Sequence, residues 1–485
     1  MPITTEHLDY GRRRAQWQRV RDAFAGEDTV KAARSTYLPV LEGQKESDES
    51  YTRYLNRAMF YPVTERTVMG LVGLMLRRQP SLQLHPAMVP HWEDLTLADD
   101  PWHMVVLETC QEMLLGGRVA IVVDWSNELR RPVWRLYPTE ALTNWREGLV
   151  NGERRVTLAV FREEVPDPLN TDPFLDATIT QYREFAWQDG AVVRTWRQVG
   201  DKNDWVPVEE QQLLRAGTPL PALPIVVFGP RGLYVQPDKP PLLDLVSVNF
   251  SHYRTSADYE HGLHFTALPT PYITGWTGTD QKMAIGSGVA WTIPDSAAKV
   301  GMLEFTGQGL GGVENALSKK EKLMAIIGAR LLEQQPAAAE TATTVRLRQS
   351  GETATLATLV EAISLGLQGA ARWHAFWMQL PEDYVDVRMS KDFLDMRLTA
   401  QEVQALFATW QGGGISYGTF YWNMQQGEWA KPDVTAEEER ALIDAEAELD
   451  VEEPPPAEPM PPVAAEGEDE GVEDAEAEAE EQEAS

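Results

Sequence analysis

Residues 311–380 decide the fold of this chain, because they indicate two long helices separated by a short break. The first predicted helix is Val313-Glu-Asn-Ala-Leu-Ser-Lys-Lys-Glu-Lys-Leu-Met-Ala-Ile-Ile-Gly-Ala-Arg-Leu-Leu-Glu333. The break is Gln334-Gln-Pro-Ala-Ala-Ala339, and the second helix runs from Glu340-Thr-Ala-Thr-Thr-Val-Arg to Gln379. No catalytic group is concentrated there, so the stretch favours a mechanical or channel-lining role over a reaction centre. In the second helix, buried-face positions recur at helical spacing: Leu356, Leu359, Ile363, Leu367, Ala370 and His374.

The rest of the chain mixes helical and extended patterns, which predicts an α+β fold. Helical periodicity is predicted for 6–25, 48–79, 102–115, about 240–263, 399–410 and 419–426. Strands are predicted at 119–124, 132–137 and 383–393, with antiparallel β texture from about 155 to 228 and shorter β segments within 269–308. Gln188-Asp-Gly190 between two alternating runs predicts a hairpin turn.

Net charge is concentrated at the C-terminus. The chain has 485 residues and a formal net charge of −31, and 18 acidic residues without any Lys or Arg follow residue 440, so the first 440 residues carry −13. Residues 441–485 are also rich in Ala and Pro, and a segment of that composition cannot bury enough apolar surface to order itself. We therefore predict a disordered acidic tail. The acidity of the remainder fits either plain solubility or a wall along which DNA slides without sticking.

Cysteine content and hydropathy restrict the cellular compartments in which the protein is expected. The single cysteine, Cys110, excludes a disulfide within the chain and indicates a reducing compartment such as a cytosol. The N-terminus lacks the apolar run of a signal peptide. No stretch approaches the roughly 18 apolar residues that a membrane span needs, so we expect no membrane partner.

One enzyme motif is present. Gly414-Ile-Ser-Tyr-Gly418 fits the pattern of a nucleophile elbow, which requires a strand before the serine and a helix after it. The segment before it, 401–410, has helical periodicity instead. The alternative interpretation is a glycine helix stop followed by Ser416 as the N-cap of the next helix.

Other chemical motifs give weak signals. His252, His261 and His264 share a predicted helix, but their spacing does not place all three on one face, so we expect packing or surface roles and no metal site. No Gly-Lys pair occurs, which disfavours a P-loop, and we expect neither a cofactor nor enzymatic activity. A basic cluster, Lys319, Lys320 and Lys322, lies on the first long helix and fits either an exposed face or phosphate contacts in a channel.

The ordered set of segments resembles the portal proteins of tailed bacteriophages, in particular a portal-like family of otherwise unknown function. The resemblance covers about residues 5–440, and no single motif is diagnostic. It rests on these segments: Tyr37-Leu-Pro-Val-Leu-Glu-Gly-Gln, Tyr54-Leu-Asn-Arg-Ala-Met-Phe-Tyr, Arg66-Thr-Val-Met-Gly-Leu-Val-Gly, the helix from Asn249 to His261 leading to Pro271-Tyr-Ile-Thr-Gly, and Glu340-Thr-Ala-Thr-Thr-Val-Arg with its long helix.

The resemblance implies a portal fold with these parts. It has a mixed α/β wing, paired stem helices, a small β-containing clip and a long tunnel helix. The implied divisions are 1–239 for the wing, 240–267 for stem helix 1, 268–310 for the clip, 311–334 for stem helix 2, 335–380 for the tunnel loop and tunnel helix, 381–440 for the completion of the wing and a small crown, and 441–485 for the acidic tail.

The resemblance also implies a function and a set of partners. Subunits would form a dodecameric ring at a capsid vertex of the virion, assembled in the cytoplasm of a bacterial host. Double-stranded DNA would pass through the ring during packaging and ejection. The remaining implied partners are a terminase, a head–tail adaptor or tail proteins, the major capsid protein and a scaffold.

Site residues follow from the same resemblance. The tunnel loop and channel would be formed by Gln335, Pro336, Ala337, Ala338, Ala339, Glu340, Thr343 and Arg346. The stem would contribute Lys319, Lys320 and Lys322, and the clip would contact adaptor or terminase through Trp276, Lys282 and Trp291.

Two alternatives stay open from the sequence. A different head or tail adaptor protein would share the acidity and the lack of catalytic motifs, but would not need two long helices flanking a small β module. A serine hydrolase using Ser416 is the other, and it predicts activity that is lost in Ser416→Ala.

Overall fold

The computed structural model describes residues 2–199, 204–267, 270–275, 297–303, 309–329, 342–391, 393, 400–427, 429–431 and 434–449. For 342–355, and for a few residues at the ends of elements, it describes the backbone alone. The chain divides into two compact units, with the boundary between Phe393 and Leu394. The disordered acidic tail was predicted for 441–485, and this is wrong for 441–449, because those residues continue a helix that spans Ala436–Leu449. Residues 450–485 lie outside the described residues.

The fold is α+β, as the sequence predicts. The helices of the first unit are α1 (Leu8–Ala25), α2 (Glu27–Ala32), α3 (Glu49–Arg57), α4 (Val63–Met75), α5 (Trp102–Gly116), α6 (Leu243–Ala267), α7 (Leu310–Ala329) and α8 (Ala342–Trp377), with short 3-10 turns at Arg34–Thr36, Val89–Glu93 and Glu382–Tyr384.

The strands form antiparallel sheets. They are β1 (Ser81–Gln83), β2 (Val119–Ser126), β3 (Arg131–Pro138), β4 (Leu142–Val150), β5 (Glu153–Pro166), β6 (Thr178–Trp187), β7 (Ala191–Val199), β8 (Asp204–Gln212), β9 (Leu214–Arg215), β10 (Thr218–Pro219), β11 (Ile225–Phe228), β12 (Thr270–Thr274), β13 (Lys299–Leu303) and β14 (Asp386–Arg388).

Sheet topology follows chain order in the largest sheet and departs from it elsewhere. Strands β4 to β8 form a five-stranded meander, and β11-β2-β3 form a three-stranded sheet. The predicted hairpin between β6 and β7 is confirmed, with Tyr182 opposite Trp196 and a left-handed Asp189 (φ 51°) in the turn. Strands β1 and β14 pair although about 300 residues separate them in sequence.

Helix periodicity correctly identified the buried faces. In α4, the apolar residues that recur at helical spacing, Val68, Leu71, Val72 and Met75, are buried. The whole stripe of α8 named above is buried as well, including His374. These residues belong to one hydrophobic core that lies between the helices and the three-stranded sheet.

A fully buried cation lies in this core. Arg118 donates hydrogen bonds to the carbonyl oxygens of Thr139 (2.7 Å), Leu142 (3.0 Å) and Val235 (3.0 Å). Its guanidinium lies 4.4 Å from the centroid of the Trp145 ring. Burial lowers the pKa of Arg118 to about 9, which leaves the group charged at neutral pH. The side chain therefore supplies hydrogen-bond donors to three backbone carbonyl oxygens inside the core.

Two sequence predictions were wrong in detail. The strand predicted at 383–393 reduces to Asp386–Arg388, because Glu382–Tyr384 forms a 3-10 turn. The antiparallel β region predicted from about 155 begins earlier, at Leu142.

The second unit is helical in its described part. It contains α9 (Ala400–Gln411), α10 (Tyr417–Gln426) and α11 (Ala436–Leu449). Trp410 of α9 stacks on Phe420 of α10 with ring centroids 5.0 Å apart. This aromatic contact holds the two helices together across the glycine turn that separates them.

Candidate functional site

Helices α6 and α7 form an antiparallel pair. Three contacts show the direction. Gly262 lies against Leu310, and His252 Nε2 lies 3.3 Å from Glu321 Oε1. In the third contact, Lys320 Nζ donates a hydrogen bond to the carbonyl oxygen of Ser251. As the residue number rises along α7 it falls along α6, so the helices run in opposite directions. A Cβ built on Gly262 would lie 2.7 Å from Leu310 Cδ2, so glycine is what permits the close approach there.

The loop between these helices contains a small β module. Strands β12 and β13 pair antiparallel, from Thr270 opposite Leu303 to Thr274 opposite Lys299. The chain thus leaves α6, forms a two-stranded sheet and returns along α7. Helix α6 has 25 residues and α7 has 20, lengths of about 37 and 30 Å at 1.5 Å per residue.

Helix α6 is anchored in the first unit by polar contacts with α3, α4 and the connection between them. Tyr54 Oη donates to Asp258 Oδ1 at 2.6 Å, and the Met59 amide donates to Ser256 Oγ at 3.2 Å. Deeper in the unit, Phe250 stacks on Tyr37 with ring centroids 4.2 Å apart. These contacts lie between residues 250 and 258, so the first unit holds α6 through the middle turns of the helix.

Helix α8 spans 36 residues, about 54 Å, and its C-terminal half is built into the core. Trp377 Nε1 donates to the carbonyl of Val123 at 2.9 Å. A Cβ on Gly366 would lie 2.5 Å from the Phe228 ring, and one on Gly369 would lie 3.2 Å from Val226. Glycine at these positions lets α8 contact strand β11 closely.

A pair of histidines joins α8 to the segment before α5. Trp134 Nε1 donates to His374 Nδ1 at 3.2 Å, so the proton of neutral His374 lies on Nε2. That nitrogen lies 2.9 Å from His91 Nδ1 and donates to it. Burial, together with His91 and Arg131, lowers the pKa of His374 to about 3. Burial and Arg131 also lower the pKa of His91, and the nearby Asp94 carboxylate partly offsets this lowering.

Most of the predicted channel and clip residues lie outside the described residues. These are Gln335, Pro336, Ala337, Ala338, Ala339 and Glu340 in the tunnel loop, and Trp276, Lys282 and Trp291 in the clip. Thr343 and Arg346 lie in the first turns of α8, where the structure describes the backbone alone. Their roles stay predictions.

The three lysines of α7 do not share one face. Lys320 Nζ donates to the carbonyl of Ser251 at 3.0 Å and also bonds Thr255 Oγ1. Burial and the neighbouring Arg254 lower the pKa of Lys320. Lys319 and Lys322 are exposed. Lys320 therefore links α7 to α6, and only the other two side chains present charge to solvent.

The motif around Ser416 lacks the strand that a nucleophile elbow requires. The segment before it is the helix α9, and a left-handed Gly413 (φ 73°) follows its end. Ser416 Oγ accepts a hydrogen bond from the Thr419 amide at 3.2 Å, which makes the serine the N-cap of α10.

The histidines of α6 make separate contacts. His252 faces Glu321 of α7, and His261 meets the Tyr54 ring edge-on at 5.2 Å. Within the described part of the chain, no three His, Cys, Asp or Glu side chains are grouped so that they could hold a metal ion. Over the same residues, no helix has both the length and the apolar character to cross a membrane.

Sequence reasoning missed the polar anchors of this region. Asp258 and Ser256 look like ordinary exposed helix residues in the sequence, and their partners lie about 200 positions away. The spacing that marked His374 as a core position was a usable signal for its burial. Its pairing with His91 has no sequence signal, because the two are 283 residues apart.

A family model described as "Domain of unknown function (DUF4055)" matches residues 241–378. The match begins two residues before α6 and ends one residue after α8. It therefore takes in the antiparallel pair, the β module and the long helix. No curated protein matches the chain.

The chain is also similar to parts of a solved particle. One such structure is described as "Virion of native gene transfer agent (GTA) particle", with a TM-score of 0.38, 11% identity, and coverage of 81% of this chain and 97% of that one. For the "Neck of empty GTA particle computed with C6 symmetry" the TM-score is 0.38 and the identity 11%, and the match covers 77% of this chain and 92% of that one. For the "Neck of native GTA particle computed with C12 symmetry" the TM-score is 0.35 and the identity 11%, and the match covers 81% of this chain and 97% of that one.

Proposed function

We propose that this chain is a portal protein, the subunit of a ring at one capsid vertex of a tailed phage or phage-like particle. More broadly, we propose a structural role at the junction of head and tail. The ring would be the conduit for DNA packaging and ejection, and the docking platform for a terminase and a head–tail adaptor. One observation carries the proposal: an antiparallel pair, α6 and α7, flanks the small sheet β12–β13 and is followed by the long helix α8.

A conduit for DNA needs stiff walls, and this arrangement supplies them. Helix α6 is tied through its middle turns to α3 and the segment after it. Helix α7 is tied to α6 through Lys320 and Glu321. The remaining end of the pair carries β12 and β13, which places a small module at a tip where a partner protein could dock.

The net charge of the first 440 residues, −13, suits a wall past which DNA moves. Tight DNA-binding surfaces concentrate Lys and Arg to neutralise phosphates. The described face of α7 instead offers the two exposed lysines, Lys319 and Lys322. We propose passing contacts with phosphate there, and no catalytic activity.

The rival adaptor function has less support. An adaptor accounts for solubility and acidity, but it gives no reason for two long helices on either side of a β module. A dodecamer, the terminase and the virion location remain parts of the proposal that come from the sequence resemblance.

The first test is the assembly state of the purified full-length chain. Native mass spectrometry and negative-stain microscopy are expected to show rings of about a dozen subunits with a central hole. A monomer at every accessible concentration, with and without a scaffold protein, would count against the proposal. Ser416→Ala is the matched control for the hydrolase alternative, and it is expected to leave ring assembly unchanged.

The second test separates conduction from assembly. Deletion of Pro336–Ala339 is expected to leave rings intact and to abolish DNA packaging in a terminase-driven assay. Packaging at the wild-type rate by the deletion variant would exclude a role for the break in the channel.

A further inference from the structure

The turn between β4 and β5 contains the only Asn-Gly pair of the sequence, Asn151-Gly152. Val150 pairs with Glu153 at the ends of the two strands, so these two residues form the whole loop. Both have positive φ, 51° for Asn151 and 84° for Gly152, which is the type I′ geometry that Asn-Gly favours. Both residues are exposed, so the turn lies open to water.

Nothing hinders the backbone nitrogen of Gly152. Glycine has no Cβ, and a Cβ built at this position would meet no atom within 4 Å. The strand ladder ends at Val150 and Glu153, so the Gly152 amide lies beyond it. The side-chain carbonyl carbon of Asn151, Cγ, is close to this nitrogen along the chain. A bond between the two atoms would close a five-membered ring.

The amide group of Asn151 has a structural role. Its Nδ2 donates a hydrogen bond to the carbonyl oxygen of Pro221 at 2.9 Å, which joins the turn to the segment before β11. Both residues line an open groove of about 660 Å³ between the start of β5, strand β11 and the end of α8. Three arginines and three glutamates line the same groove, so their charges balance: Glu147, Glu153, Arg154, Arg155, Arg372 and Glu382.

We propose that Asn151 is a site of spontaneous deamidation. The Gly152 nitrogen loses its proton and attacks Cγ of Asn151, a C–N bond forms, and the Nδ2 group leaves as ammonia. Water then opens the ring at either carbonyl. The products are aspartate and its isomer, in which the main chain runs through the former side chain. The net reaction consumes one water and releases one ammonia, and it proceeds whether or not the chain forms a ring of subunits.

The products change the contacts of the turn. A carboxylate in place of the Asn151 amide presents only acceptors to the Pro221 carbonyl oxygen, so that hydrogen bond is lost. It also adds one negative charge to a groove whose charged residues balance. In the isomer the main chain is one carbon longer, so the loop no longer matches the twist of the two strands.

Peptide mass spectrometry of the folded, full-length chain tests the proposal. The protein is kept at pH 7 and pH 9 for several weeks and then digested with trypsin. The tryptic peptide 147–154 contains Asn151. The peptide 119–130 contains the internal control Asn127, an exposed asparagine between β2 and β3 that Glu128 follows. Asn151 is expected to deamidate about tenfold faster than Asn127, because the side chain of Glu128 hinders ring closure and Gly152 has none. The rate is expected to rise with pH, because the attacking nitrogen must lose its proton.

Two variants separate the chemistry from its consequence. Gly152→Asp is expected to slow deamidation of Asn151 about tenfold, because aspartate tolerates positive φ and adds a hindering side chain. Asn151→Asp supplies the product directly and is expected to lower the thermal midpoint of unfolding. Its matched control, Asn127→Asp, adds the same charge away from the groove and is expected to leave the midpoint unchanged.

Three results would overturn the proposal. The first is deamidation of Asn151 in the urea-unfolded chain without any in the folded chain, because the fold would then shield the turn. The second is an equal rate at Asn151 and Asn127, and the third is a rate at Asn151 that Gly152→Asp leaves unchanged. An unaltered thermal midpoint in Asn151→Asp would refute the loss of the contact with Pro221.

Discussion

Acidification is expected to weaken the first unit through His374. The imidazole is fully buried, and both of its nitrogens are engaged, Nδ1 as acceptor from Trp134 and Nε2 as donor to His91. A second proton on Nδ1 would remove the acceptor for Trp134 and place a charge near Arg131, so the folded state resists protonation.

The size of the effect follows from the two pKa values. The pKa of His374 is about 3 in the folded chain against an ordinary 6.5. A lowered pKa means that the unfolded chain binds more protons in this window, so stability is complete above about pH 6.5 and declines as the pH falls towards 3. Between pH 7 and pH 5 the loss is about 2 kcal/mol at 1.36 kcal/mol per pH unit. The lowered pKa of His91 acts in the same direction.

Urea denaturation at pH 7, 6 and 5 measures this loss, with His374→Gln as the matched variant. Glutamine does not titrate, and its amide can still accept from Trp134 and donate to His91. The free-energy difference between wild type and variant is expected to shrink by about 2 kcal/mol from pH 7 to pH 5, roughly a 30-fold change in the folding equilibrium. Parallel pH profiles for the two proteins would refute the assignment of the effect to His374.

Two further predictions concern packing and buried hydrogen bonds in the first unit. Gly366→Ala is expected to destabilise the first unit by about 1–3 kcal/mol in urea denaturation, because the new Cβ would meet the Phe228 ring. The control is Gly73→Ala in α4, which has open space around its position and is expected to stabilise the unit by about 0.5–1 kcal/mol. Equal effects of the two changes would contradict the close contact. Arg118→Met is expected to cost at least about 3 kcal/mol, because the three carbonyl oxygens of Thr139, Leu142 and Val235 lose their donor; a thermal midpoint unchanged from that of the wild type would show that water replaces the guanidinium.

Local periodicity allowed much of the fold to be predicted. The apolar stripes of α4 and α8 appear at helical spacing in the sequence, and both are buried in the structure. The turn between β6 and β7 was visible because Asp-Gly chemistry specifies it locally. Ser416 was readable as a cap for the same reason, since a serine after glycines acts on the amide three residues later.

Elements held by distant partners were less predictable. Strand β14 has three residues and exists because β1, about 300 positions earlier, supplies its ladder. Lys320 looked like one of three equivalent lysines, yet its hydrogen bonds to α6 distinguish it from Lys319 and Lys322. Side-chain identity and spacing do not encode which face of a helix meets a neighbour when both faces carry charge.

The sequence by itself determined the succession of elements in this protein: a mixed α/β region, a helix, a β segment, a second helix and then a long third one. It did so because hydrophobic period and turn chemistry act within a few residues. Tertiary structure alone decided that α6 and α7 run antiparallel, that His374 meets His91, and that β1 pairs with β14. These facts depend on contacts between residues tens to hundreds of positions apart, and such contacts are set by the packing of the whole core.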